Sequence, residues 1–396
     1  MLLEGAEISW FGPTAVAPKP LEGETVTEVP VVMPGLWDCH THFVGMRNPD
    51  LERYSLTSTV VAAARATADL ARTLEGGVTS VRDVGGHGLQ LARAVAEGSI
   101  PGPTVHAAGQ ILSMTGGHAD VHSLPLDWVN ELAACGSGLG LLCDGVPEVL
   151  KAVRTNLRRN ARLIKVCASG GVASEVDHPM HQQFSPEELG AIVAEAARAD
   201  RIVAAHCHGK AGIMAALEAG VSTIEHGSYL DEEAADLMVQ TGAILVPTRF
   251  VVEDLMANSG NLPAYVARKA ALVADRHEQA LKLAVAKGVR IAAGCDLFVS
   301  GENHGRNGAE IRHLINAGMT DLEAIAAATA VAPETLGPQA PSSGRLEAGY
   351  DADVIALDRN PLDDRSVWGD PGAVTHIWKS GMSVKSPQAP GTPRVS

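Results

Sequence analysis

Eight short apolar runs, rich in β-branched residues, recur along this chain, and stretches of helical character separate most of them. They cover residues 31–42, 78–84, 105–110, 163–168, 202–208, 222–227, 243–248 and 290–296. The regularity of this alternation constrains the fold more than any single run does. Eight strand–helix units fit a closed (β/α)8 TIM-type barrel better than an open doubly wound sheet. No GxGxxG follows the first strand to favour the latter. Helix boundaries agree with the repeat. A helical pattern over residues 56–74 stops at Gly76-Gly77, where glycine can take the left-handed conformation that ends helices. Ser185-Pro186-Glu187-Glu188 and Thr320-Asp321-Leu322-Glu323 carry capping-box start signals.

Four segments fall outside the repeat. Residues 1–30 hold short strand-like pieces, 6–10 and 25–29, and residues 344–384 read as short strands divided by turns. We expect the two ends to form one small β-domain beside a barrel over 31–343. Residues 111–147 form a Gly-rich insertion, expected to act as a lid or a wall of the site. The tail over 385–396, with Pro387, Pro390 and Pro393, is expected to be disordered.

With 46% hydrophobic residues among 396, the chain can bury a large core. A formal net charge of −15 disfavours nucleic acid and anionic membrane surfaces as partners, so a small molecule is the expected one. No basic leader and no window near the ~20 apolar residues of a membrane span is present. A cytoplasmic protein is therefore expected. The six cysteines show no CxxC pairing, and most lie in apolar runs, which suits packed, reduced thiols.

In a barrel of this kind the active site lies at the C-terminal strand ends. The first run ends in His40 and His42, which share one face of a strand, while Cys39 and Thr41 take the other. The fourth carries Lys165, the fifth ends in His206 and His208, the sixth in Glu225-His226, and the eighth in Asp296. Each alone has an ordinary structural explanation: a hydrogen-bonded core histidine, a snorkelling lysine, an aspartate capping a helix. Together they do not, because so many ionisable groups at one end of a barrel cost several kcal/mol in desolvation unless a cation or partner neutralises them. A metal site does this directly.

These residues make the chain similar to the amidohydrolase superfamily over nearly its whole length. The resemblance rests on Pro34-Gly35-Leu36-Trp37-Asp38 before His40-Thr41-His42, on Ile164-Lys165-Val166 with Ser169-Gly170-Gly171-Val172, and on His206, Glu225-His226-Gly227 and Asp296. It also rests on the closing Gly344-Arg345-Leu346 and Gly349-Tyr350-Asp351-Ala352-Asp353-Val354. Gly116-Gly117-His118, His226-Gly227-Ser228-Tyr229 and His304-Gly305-Arg306-Asn307 resemble the branch of metal-dependent Xaa-Pro and Xaa-Arg/Lys dipeptidases, ochratoxin-degrading amidases and imidazolonepropionase-like proteins.

The resemblance implies a binuclear centre of two zinc or other divalent ions. His40, His42 and Asp296 serve one ion, His206 and His226 the other, and a carboxylated Lys165 bridges both. It implies hydrolysis of the amide bond of a dipeptide or N-acyl amino acid by a metal-bridging hydroxide, with Asp296 moving the proton to the leaving amine. Of His118 and Tyr229, one is expected to stabilise the oxyanion and the other to hold a substrate carboxylate or carbonyl. Arg249 can pair with a substrate carboxylate or stand as a solvated loop arginine. His304 and Asn307 can contact substrate or only order their loop, and His208 sits one pleat out, behind the ligands. A homo-oligomer is expected.

Two rival readings remain. One is a hydrolase of a cyclic amide, an imidazolone, or a xenobiotic amide or carbamate. Lys165 weighs against the single-metal imidazolonepropionases and deaminases. The other is a non-catalytic binding relative, which should have lost ligands, whereas all six positions here are filled. The segment before Met33 is shorter than the family pattern, and Cys39, Cys167 and Cys295 sit beside ligand positions, where packed thiols are expected.

Overall fold

In a computed structural model that describes residues 1–387, the chain forms a parallel barrel beside a small antiparallel sheet. The expected disordered tail lies outside the described residues from 388 onward, while Lys385 ends a strand, Met382–Lys385. The eight staves are β1 (Leu36–Met46), β2 (Val78–Asp83), β3 (Thr104–Ala107), β4 (Ile164–Cys167), β5 (Val203–Cys207), β6 (Thr223–His226), β7 (Ile244–Val246) and β8 (Arg290–Ile291). β1, β2 and β3 pair in parallel, and so do β4 to β8. Backbone bonds close the barrel at both edges: Arg162 N to Ala107 O (2.8 Å), and Cys39 N to Ala293 O (2.9 Å) with Asp296 N to His40 O (2.7 Å).

Helices cover the outside with one apolar face each. In Thr59–Glu75 the buried positions Ala62, Ala66, Leu70 and Leu74 recur every fourth residue, the spacing that keeps one stripe against the strands. Each buried leucine contributes about 1.5–3 kcal/mol. Both capping boxes form, Ser185 with Glu188 and Thr320 with Glu323. The helix expected over 56–74 begins at Thr59, and a separate turn of helix, Leu51–Ser55, precedes it.

Three expectations need correction. The run 31–42 is not one strand. Val31–Pro34 joins the antiparallel sheet beside Val354–Leu357, and the chain turns at Gly35 into β1. A Cβ at Gly35 would lie 2.2 Å from Thr79 Oγ1, so only glycine lets the chain cross there. Residues 25–29 form no strand, and of the N-terminal pieces only the hairpin Leu2–Glu4/Glu7–Trp10 pairs. That hairpin bonds from Ile8 N to Tyr350 O and from Ala352 N to Ala6 O, both 2.8 Å. Residues 111–147 are not wholly outside the sheet either. Ile111–Ser113 and Gly140–Leu142 pair in parallel and extend it past β4, with the helix Leu126–Cys135 between them. No described helix is long and apolar enough to cross a membrane.

Candidate active site

Strand register brings the expected ligand residues to one end of the barrel in two clusters. β1 alternates faces, so His40 and His42 point together. The turn after β8 places Asp296, at φ +57°, opposite them. Asp296 Oδ1 lies 3.3 Å from His42 Nε2 and 3.6 Å from His40 Nε2. The ends of β5 and β6 supply His206, His208 and His226, and within each cluster one ligand atom per residue lies within 4.8 Å of the others. The clusters meet where the His40 and His226 rings approach to 4.9 Å. Lys165 stands beside this junction, its Nζ 3.4 Å from His40 Nε2.

Most of these imidazoles are gripped from behind through Nδ1. His42 Nδ1 meets Gly85 O (2.8 Å), His40 Nδ1 meets Glu225 Oε2 (2.7 Å), and His226 and His208 hold Thr248 Oγ1 and Ser228 Oγ at 2.7 Å. Partners of this kind fix the ring and leave Nε2 as the free ligand atom. Behind His40 the support continues: Arg82, fully buried inside the barrel, contacts Glu225 Oε1 at 2.5 Å and donates to Cys39 O at 2.6 Å. Asp38 ties the two ligand-bearing segments together, accepting from His40 N and Cys295 N (3.0 Å each) and from Asn307 Nδ2 (2.7 Å).

Burial sets the protonation of the cluster. It pushes His40 down to about 4, aided by Lys165, and His208 down to about 3. His206 and His226 are lowered for the same reason. Neutral imidazoles are the form that binds metal. Burial also lowers Lys165, disfavouring its proton. It pushes Asp296 up, but His40, His42 and Lys165 outweigh it and hold the carboxyl below its ordinary value. Nitrogen and carboxylate donors in two adjoining sets, with an amine at their junction, fit divalent ions such as zinc. The thiols do not join them. Burial raises Cys39 and Cys167 to about 12, so both stay protonated, and no cysteine belongs to either described cluster.

The clusters floor a cavity of about 980 Å³, mouth included. Its wall is apolar: Val251, Val252 and Leu255 come from the helix Arg249–Ala257, Val266, Ala270 and Val273 from the helix Ala264–Lys287, and Phe298 and Leu139 complete it.

Loop candidates divide. His118 reaches the cavity, its ring stacked on His206 at 4.2 Å. The other three do not line it. Tyr229 donates its hydroxyl to Leu272 O at 2.9 Å. Arg249 donates to Ala274 O at 3.0 Å and faces Glu253 and Glu278, so its guanidinium is engaged away from any substrate carboxylate. His304 is buried against Phe43, with Nδ1 3.4 Å from Thr73 Oγ1.

The sequence profile of the Amidohydrolase family matches residues 31–384. The chain belongs to the amidohydrolase family. It is 46% identical to ochratoxinase of Aspergillus niger over 96% of this chain and 81% of that protein. The crystal structure of A. niger ochratoxinase superposes with a TM-score of 0.90 at 44% identity, covering 97% of this chain and 90% of the other. A prolidase crystallised with N-methylphosphonate-L-proline gives 0.90 at 34% identity, over 97% and 94%. A Xaa-Pro dipeptidase with bound methionine gives 0.79 at 32%, over 90% and 87%. This amidohydrolase is thus a hydrolase acting on amide bonds.

Sequence reasoning left the partners of Arg82, Asp38 and His208 in the amidohydrolase site unassigned. Arg82 and Asp38 are charges set within apolar strand runs, a signal that marks a buried network but not its partners. His208, expected behind the ligands, contacts Ser228 Oγ and lies in the same cluster as His206 and His226.

Proposed function

We propose that this amidohydrolase cleaves the amide bond of dipeptides or N-acyl amino acids at a centre of two divalent ions, with zinc as the first candidate. The observation that carries this reading is the pair of ligand clusters, His40/His42/Asp296 and His206/His208/His226, meeting beside Lys165 on the floor of an apolar cavity. His40, His42 and Asp296 would hold one ion, and His206 and His226 the other. The buried Lys165 amine, with its proton disfavoured, can bond to the carbon of carbon dioxide and release a proton, becoming an anionic two-oxygen bridge. When bound, the ions supply a water acidified to a nucleophile near neutral pH and a Lewis acid for the scissile carbonyl.

The chain's own residues do the remaining work. Asp296, ionised and at the cluster's edge, accepts a proton from the attacking water and passes it to the leaving nitrogen. The wall from Val251 to Val273 excludes water and receives an apolar acyl group or side chain. With Arg249 engaged elsewhere, no guanidinium among the described residues lines the cavity. The names ochratoxinase, prolidase and Xaa-Pro dipeptidase among the relatives support an acylated amino acid as substrate.

Incubation with a mixed library of dipeptides, N-acyl amino acids and ochratoxin, followed by mass spectrometry, tests the reading. Release of free amino acids from apolar members is expected. Turnover of cyclic amides alone would transfer the assignment to that class.

A further inference from the structure

Of the loop candidates His118, Tyr229, Arg249 and His304, His118 alone lines the cavity, and its surroundings decide what its free nitrogen can do. The ring is clamped on both faces. One face stacks on His206 at 4.2 Å, and Gly171 backs the ring so closely that a Cβ there would sit 2.1–2.4 Å from its atoms. Its edge is clamped as well, with Nδ1 2.8 Å from Ser174 Oγ. Ser174 in turn makes a short hydrogen bond to Asp177 Oδ1. Gln183 completes the frame, accepting from His118 N at 3.1 Å and donating to Asp177 Oδ2 at 3.3 Å.

Asp177 is held as a carboxylate acceptor. Besides Ser174 and Gln183 it takes Gly171 N at 2.9 Å, and Lys269 Nζ stands 3.2 Å from its Oδ1. Lys269 comes from the helix Ala264–Lys287, buried, and also donates to the carbonyls of Gly171 (3.2 Å), Ser174 (2.7 Å) and Asp177. One cation thereby ties three carbonyls and a carboxylate of the loop after β4 to a helix that also walls the cavity.

A serine hydroxyl has one proton to give. Because Ser174 gives it to Asp177, Ser174 Oγ can only accept from His118, so the proton on the ring sits at Nδ1. We propose that Asp177, acting through Ser174 and anchored by Lys269, locks His118 as the Nδ1-protonated tautomer and presents Nε2 to the cavity as an acceptor. Among the described residues Nε2 has no hydrogen-bond partner. In its neutral form His118 then accepts from a donor on the substrate, such as an amide N–H, rather than donating to an oxyanion. That consequence rests on the amide-hydrolysis reading above, whereas the tautomer itself does not. Ser174, Asp177 and Lys269 are positioning residues: they act on the reaction only through His118.

The test reads the tautomer directly, by nitrogen NMR of the histidine-labelled, metal-loaded protein, with the His118 signals assigned through His118→Gln. The wild type should carry its ring proton on Nδ1. In Asp177→Asn the amide can donate to Ser174 Oγ, freeing the hydroxyl to donate to Nδ1, so the proton should move to Nε2. kcat should then fall by about a hundredfold or more with KM and metal content unchanged, as misplaced tautomers do elsewhere. Ser174→Ala, which removes one hydroxyl, should leave both tautomers populated, and it carries the test should Asp177→Asn misfold. An Nε2 proton in the wild type, or an unmoved tautomer in both variants, overturns the proposal even if the enzyme hydrolyses amides. The expected tautomer in a protein without hydrolysis would uphold it and count against the functional reading alone.

Discussion

Polar side chains at the mouth of this barrel fall into two groups. His40, His42, Lys165, His206, His226 and Asp296 sit on or at the ends of strands and converge. Tyr229, Arg249 and His304 sit beyond the strands and turn to the nearest carbonyl, carboxylate or hydroxyl. The difference is one of constraint. A strand residue's direction is set by the pleat and by the ladder it shares with both neighbours, so His206, opposite Glu225 in the register of β5 and β6, has little choice of face. A loop side chain with several rotatable bonds settles on whichever partner is near. His118 shows what a loop residue needs to behave like a strand residue: two clamped faces and a held edge. The clustered donors thus sit at strand ends, while the helices between β7 and β8 supply most of the wall.

The sharpest way to break this contrast is at the carboxylate held in the turn after β8. Asp296→Asn should keep its metal yet lose about 10²–10⁴-fold in kcat, the range of a removed proton-transfer group. Near-normal turnover measured on metal-replete protein would take Asp296 out of that role. Next comes the support behind His40. Glu225→Gln leaves the fully buried Arg82 without its countercharge and should cost about 3–5 kcal/mol in denaturant unfolding. A stability loss below ~1 kcal/mol would mean that the pair is compensated elsewhere.

Acid should probe the same pair. Burial pushes the Glu225 carboxyl up, but Arg82 and His40 outweigh it and hold it well below the usual range. A depressed carboxylate stabilises the fold above its unfolded value of about 4.3, and that contribution is lost as pH falls from there through the depressed value. Unfolding curves below that pH should therefore fall more gently for Glu225→Gln than for the wild type; parallel curves would count against it. The smallest effects belong to the loops. Arg249→Ala and Tyr229→Phe should each change kcat/KM by less than about threefold, the scale of an exposed contact. A hundredfold loss in either would show that these loops swing inward during turnover and would dissolve the contrast.

What could be read in advance follows the same division. The period of two and the β-branched runs exposed the barrel and the strand-end donors, because those directions are local consequences of backbone geometry. The crossing at Gly35 was hidden, since Val31 to Leu36 continue one apolar pattern and the Thr79 side chain that requires glycine there comes from β2. Residues 25–29 alternate like a strand, but alternation does not supply a partner, and the structure pairs no strand with them. Arg82 stood visible as a charge among apolar neighbours, yet its partner Glu225 lies 143 residues away and is joined to it only by barrel closure. Tyr229 and Arg249 follow the ends of β6 and β7 in sequence, yet neither lines the cavity. Their rotamers were decided by the helix Ala264–Lys287, which no local pattern announces.

Metal stoichiometry, by elemental analysis of the wild type beside Lys165→Met, tests the central claim most directly. A two-ion centre joined through Lys165 predicts about two divalent ions per wild-type chain, and about one or fewer in the variant with hydrolysis lost. A wild type holding a single ion, with metal content and turnover unchanged in Lys165→Met, would contradict it and leave Lys165 an ordinary buried amine.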